Sequence, residues 1–136
     1  MSDIETRPLF TLRIEVDPPP HAVGLVPQGY TRRFACITGG SFEGERLRGS
    51  VLPGGSDILL ERADGALQQD VRLLLKTDAG DLVYLTYSGR RVGEYFRTVM
   101  QFEAAAPQLL LLNNLVAVAK GKREASGPVY QVFEIT

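Results

Sequence analysis

The feature that most constrains this chain is a succession of short alternating runs separated by glycine-bearing turns. Pro8 to Val16 sets the pattern: Phe10, Leu12, Ile14 and Val16 share one face, and Thr11, Arg13 and Glu15 the other. A period of two marks a strand with one buried face. Asp17–Pro18–Pro19–Pro20–His21 stops it, because proline has no N–H to give to a ladder. The polar stretch from Val23 to Tyr30 then reads as a long loop.

Further strands are expected at regular spacing. Arg32 to Thr38 runs into Gly39–Gly40, and Leu47 to Leu52 into Pro53–Gly54–Gly55. Asp57 to Arg62 ends in Ala63–Asp64–Gly65, Val71 to Thr77 in Asp78–Ala79–Gly80, and Leu82 to Ser88 at Gly89. Glycine at such positions supplies the positive φ that tight hairpins need. Leu115 to Ala119 and Val129 to Ile135 close the chain, with Lys120 to Pro128 as a charged turn. Glu94 to Ala106 fits a strand or one or two helical turns, and Gln108 to Asn114, with four successive leucines, a short helix or a buried strand.

About eight or nine hairpin-linked strands, with at most one short helix near residues 107–114, predict an all-β fold: a small antiparallel, mostly up-and-down barrel. At 136 residues, 44% of them hydrophobic, one domain spanning 1–136 is expected, with residues 1–7 as a flexible N-terminus. The net charge of −1 gives no basic excess for nucleic acid. No run approaches the ~18 apolar residues of a membrane span, and the acidic N-terminus is unlike a signal peptide, so the chain reads as cytoplasmic. The lone cysteine, Cys36, reads as a small hydrophobe in an apolar run. A single histidine, His21, argues against a zinc site, and neither a metal nor another cofactor is expected. Arg90–Arg91 reads as a solvated basic spot at a turn.

The most distinctive stretch is Gly39 to Asp57, with six glycines in nineteen residues. No helix follows to make it a phosphate cradle, so its glycines are read as bending a sheet toward closure. Together with Gly80, Gly89, Phe102–Glu103 and Leu112–Asn113, this stretch resembles the DUF3237 family (also UPF0311), small proteins of mostly unknown activity. The resemblance implies a lipocalin-like or allene-oxide-cyclase-like β-barrel. The chain departs from the family pattern in having Leu109 and Leu111 where aromatic residues usually precede Leu-Asn.

The polar residues that match the motif are Asp57, Arg72, Glu103 and Asn113. If Asp57 and Arg72 both face the interior they should pair, since a buried charge needs a partner. Tyr84 and Tyr87 alternate on one strand, so one tyrosine should point to each side. The candidate ligand-binding set is therefore Asp57, Arg72, Tyr84, Tyr87, Glu103 and Asn113, with Asp57 and Tyr87 as an acid–base pair. One reading is a pocket for a small, largely apolar ligand carrying a polar or acidic group. The alternatives are a cofactor-free acid–base enzyme performing cyclisation, isomerisation or hydroalkoxylation-type addition, and a structural assembly barrel. Strands apolar on both faces, such as Leu73–Leu74–Leu75, lead us to expect a homo-oligomer, most simply a homodimer.

Overall fold

A computed structural model describes residues 2–136. Ten strands form one antiparallel sheet: β1 (Thr6–Val16), β2 (His21–Leu25), β3 (Thr31–Glu43), β4 (Arg48–Val51), β5 (Ser56–Glu61), β6 (Leu67–Thr77), β7 (Leu82–Val92), β8 (Tyr95–Ala104), β9 (Ala117–Glu124) and β10 (Gly127–Ile135). The order runs β1-β10-β9-β8-β7-β6-β4-β3-β2, and β1 also pairs with β3, which closes the barrel. Strands β4 and β5 share one position, each bridging β3 and β6, so the closed ring has eight strand positions and β2 lies outside it on β3. The break between β4 and β5 is stitched by backbone bonds from Ile37 N to Gly55 O and from Leu52 N to Leu74 O.

Two readings of glycine change. Strand β3 runs straight through Gly39–Gly40, and β7 runs through Gly89 to Val92. In neither place does the chain turn. A side chain at Gly40 would put its Cβ 2.0 Å from the Arg13 carbonyl oxygen of β1, and one at Gly89 would lie 2.3 Å from the Arg97 carbonyl oxygen of β8. These glycines are sites of close strand approach, the other use of glycine in a sheet. The loop expected over Val23 to Tyr30 is also shorter, because β2 adds His21 to Leu25 to the sheet. The N-terminus is strand from Thr6, and the charged turn before β10 shrinks to Ala125–Ser126.

Alternation along each strand sends one side-chain set inward, so that Val71, Leu73 and Leu75 of β6 meet Val83 and Leu85 of β7. Leu74 between them faces outward. One end is packed solid. There Phe10 lies 5.4 Å from Phe42 and 6.0 Å from Phe102 between ring centroids. A 3-10 helix, η1 (Pro107–Asn114), covers that end and buries Leu109 and Leu112. The four-leucine run is thus a short helix with two inward and two outward leucines. At the same end Glu134 is buried and pairs with Arg7 at 2.6 Å and with Arg46, tying β10 to the N-terminus and to the β3–β4 turn. No helix among the described residues is long and apolar enough to cross a membrane.

Asn113 holds the plug in place. Its side-chain amide donates to the Ala104 carbonyl at 2.7 Å and to the Leu110 carbonyl at 3.1 Å, and its Oδ1 accepts from the Ala104 N–H at 3.0 Å. One side chain thus continues the β8 edge as a strand would. Asn113→Ala is expected to lower stability by about 1–2 kcal/mol, the net worth of such bonds at a partly solvated site. Urea unfolding measures this, and hydrogen exchange should localise the loosening to residues 104–114.

Candidate functional site

The opposite end of the barrel is open. It gathers the end of β1, the starts of β3, β6, β8 and β10, the ends of β7 and β9, and strand β5. Interior-facing side chains at this end are polar where the rest of the interior is apolar. A narrow well of about 110 Å³ is lined by Ala35, Asp57, Gln69, Arg91, Phe96 and Arg123, among others. A wider bay of about 760 Å³, bounded by Gly65, Gly93, Glu94 and Lys122, shares Leu67, Arg91, Phe96 and Arg123 with the well. The bay falls in the size range of sites for small molecules.

Each side chain arrives there through strand register. Asp57 sits opposite Ala35 on β3 and Val71 on β6, both buried, so its carboxyl points inward. Gln69 lies two residues before Val71 on the same face and is 7% exposed. Arg91 continues the inward series Leu85, Tyr87 and Gly89 of β7 and faces Leu67 and Phe96 across the ladders. Gly121 makes room for Phe96, since a Cβ there would come within 2.7 Å of the Phe96 ring. Phe96 in turn meets the Tyr130 ring edge-on at 5.3 Å, and Tyr87 meets Tyr130 at 5.2 Å. Below the well the three rings form a fixed aromatic floor.

The polar atoms of this end lack partners. Asp57 Oδ1, Gln69 Oε1, Thr98 Oγ1 and Tyr130 Oη are all buried without a well-aligned hydrogen bond from the protein, although the Tyr130 hydroxyl lies within reach of the Tyr87 hydroxyl and the Gln69 amide. An unpartnered buried polar atom costs about 1–3 kcal/mol, so four together need a reason beyond packing. Burial pushes the Asp57 carboxyl up to about 7; the Asp70 carboxylate adds to the rise, while the Asp70 backbone and the Arg91 guanidinium oppose it. Burial lifts the Tyr130 hydroxyl above its ordinary range, with the Asp57 carboxylate reinforcing the rise and hydrogen-bonding contacts to Tyr87 and Gln69 opposing it. Tyr87 is raised too, by burial first and by Tyr130 and Asp57 as well. Both phenols therefore stay protonated and serve as hydrogen-bond donors. Arg91 is lowered by burial and by the guanidiniums of Arg123 and Arg33, but remains a cation.

Of the sequence-derived candidates, Asp57 and Tyr87 face the interior and the other four do not. The Asp57–Arg72 pair does not form. Asp57 is level with Val71, so the period of two turns Arg72 outward, where it is exposed. Tyr84 lies on the outer side of β7 opposite Glu103, and both line an external groove with Asn113, which is committed to its backbone bonds. The sequence reading passed over Gln69, Arg91, Phe96, Arg123 and Tyr130. Arg91 was missed because Gly89 reads as a turn and so leaves Arg91 in solvent. Tyr130 carried a signal in its alternation with Val132 and Glu134, but nothing told which face was inside.

A family model described as a protein of unknown function (DUF3237) matches residues 4–94. The chain belongs to this family. A UPF0311 protein of Rhodopseudomonas palustris is 27% identical over 97% of both chains, and one of Clostridium acetobutylicum is 27% identical over 94% of this chain and 92% of its own. Among solved structures, a β-barrel-like protein of Acinetobacter baumannii superposes with a TM-score of 0.95 at 30% identity, covering 100% of this chain and 98% of that one. A protein of Penicillium herquei, described as an enzyme, superposes at 0.85 over 100% of this chain and 97% of its own; at 18% identity it shows the shared barrel.

Proposed function

We propose that the open end of this DUF3237 barrel is an acid–base site for a small, largely apolar molecule bearing a polar or acidic group. Asp57 takes a proton from the bound molecule, and Tyr130 hydrogen-bonds the oxygen on which negative charge then develops. The carboxylate removes a proton from a C–H or O–H bond, and the electron pair left behind moves onto the substrate oxygen. Return of the proton from Asp57 to another atom completes an isomerisation, a ring closure or an addition. Tyr87 braces Tyr130 from below.

One observation carries this reading: Asp57 is a desolvated carboxyl in a narrow well that opens beside a ligand-sized bay, with an unpartnered oxygen and, among the described residues, no cation within ion-pair distance. A structural carboxylate so placed would be paired. A base is instead most useful when its pKa lies near the working pH, as this one does. A barrel of this shape carries an enzyme in Penicillium herquei, although a shared fold does not by itself transfer a function.

The reaction can be tested before its natural substrate is known. Small ketones, phenols and enolisable acids incubated in D2O with the protein should exchange deuterium at the atom Asp57 deprotonates. Mass spectrometry should show the exchange rate rising with pH through about 7, as Asp57 ionises. Asp57→Asn should slow it by about 100-fold or more, and Tyr130→Phe by a smaller factor. Exchange that is equally fast in the Asp57→Asn protein would overturn the assignment.

A further inference from the structure

The arrangement of charge between the mouth and the floor narrows the substrate further, resting on the acid–base reading above. We propose that the molecule taken by this site is a small organic carboxylic acid with a second oxygen function, a ketone, enol or phenol, at its opposite end. Three arginines ring the opening, and they are not equivalent. Arg33 is neutralised by Glu61 at 3.1 Å. Arg91 and Arg123 make no ion pair among the described residues, yet both line the bay and the well.

Two guanidiniums that line the same bay and repel each other, with the recessed Asp57 carboxyl facing Arg91 from outside ion-pair distance, favour an anion between them. Arg91 is also held over the Phe96 ring, 5.8 Å from its centroid, which limits the freedom it would lose on binding. Lys122 adds a third cation to the bay and Glu94 subtracts one, leaving a net excess of positive charge at the rim.

The walls between rim and floor are apolar, with Leu59, Leu67 and Phe96 inside the well. At the floor of the well, Asp57 Oδ1 and Gln69 Oε1 are buried without well-aligned partners, and the fully buried Tyr130 hydroxyl lies beneath them, near enough to feel the Asp57 charge. Such a site offers an anion contact outside, an apolar slot in the middle, and two acceptors, Asp57 and Gln69, with one donor, Tyr130, inside. The complementary molecule has a carboxylate, a short hydrocarbon or aryl body, and an oxygen that can accept from Tyr130 while its hydroxyl or adjacent C–H faces Asp57. Carboxylate suits paired guanidiniums because its two oxygens match their forked donors.

Calorimetry with matched pairs of aryl and short-chain oxo or hydroxy acids and their primary amides tests this on the intact protein. At least one acid should bind ten-fold or more tightly than its amide. The double variant Arg91→Gln/Arg123→Gln should erase that preference while amide binding persists, and removing the distal oxygen should weaken the acid by about ten-fold. Since both arginines lie at the rim, an unchanged circular dichroism spectrum would confirm that the variant folds. The proposal is overturned if every acid binds no better than its amide, if the preference survives the double variant, or if inorganic phosphate displaces the acid at equal concentration. Failure here with Asp57-dependent deuterium exchange intact would leave the acid–base reading standing. Acid preference without that exchange would sink the chemistry and keep the ligand class.

Discussion

Asp57→Asn is expected to make the protein more stable above pH 7, by roughly 2–4 kcal/mol at pH 8. The carboxyl has an ordinary value near 3.8 and is raised to about 7 in the folded barrel, chiefly by burial. Between those two values the folded state keeps a proton that the unfolded chain has released. Stability therefore falls as pH rises from about 4 to about 7, and settles at a lower level above that. Each unit of displacement corresponds to 1.36 kcal/mol, so the wild-type protein should lose about 4 kcal/mol across this window. Asparagine cannot ionise and removes the slope. It keeps a polar group in the well, which is why the gain above pH 7 is put at less than the full difference. Urea unfolding of both proteins at pH 5 and pH 8 decides the matter. Parallel behaviour at the two pH values would contradict it. A stabilised variant that has also lost proton transfer would be the ordinary exchange of stability for activity at a working site.

The second large effect concerns closure of the barrel. Gly40→Ala is expected to cost more than about 4 kcal/mol and to leave little folded protein. Gly40 has φ +140, a conformation L side chains rarely adopt, and sits opposite Ile14 on the β1–β3 seam. A methyl group there would lie 2.0 Å from the Arg13 carbonyl oxygen and 3.2 Å from Val51 Cγ2. Backbone on one side and packed core on the other leave no direction of escape, so the seam must open. Gly54→Ala is the control: its φ of +109 is also unfavourable, but nothing lies within 4 Å of the added atom. Only the conformational penalty of about 1–2 kcal/mol remains there. Denaturant midpoints and soluble yield should separate the two variants widely. Equal losses would show that the seam is softer than its geometry implies.

These two positions also show how far the sequence could be read. The alternation in Pro8–Val16 and Val71–Thr77, and the glycine-bearing hairpins, led to the barrel because a period of two and a tight turn each have a local chemical signature. Gly39–Gly40 and Gly89 misled, since a glycine that starts a turn and one that lets a neighbouring strand approach look alike in one dimension. That ambiguity hid Arg91. Reading Gly89 as a stop kept Arg91 out of the interior, and with it the charged rim. Asp57 was found from its place at the start of a strand and its match to the family motif. Its supposed partner Arg72 failed by one residue of register, a quantity set by pairing between β5 and β6 and not by either strand alone. Tyr130 and Gln69 each alternate with apolar neighbours, but which face was inward became clear only once the ring had closed.

The central claim is that Asp57 is an unpaired, desolvated carboxyl held ready for proton transfer. Carbon-detected NMR titration of the side-chain carboxyls, with Asp57 assigned by its loss in Asp57→Asn, tests this most directly. A midpoint near 7 is the result the structure predicts. A midpoint near 4 would mean that Asp57 is solvated or paired in solution, and the account of the site would fall with it.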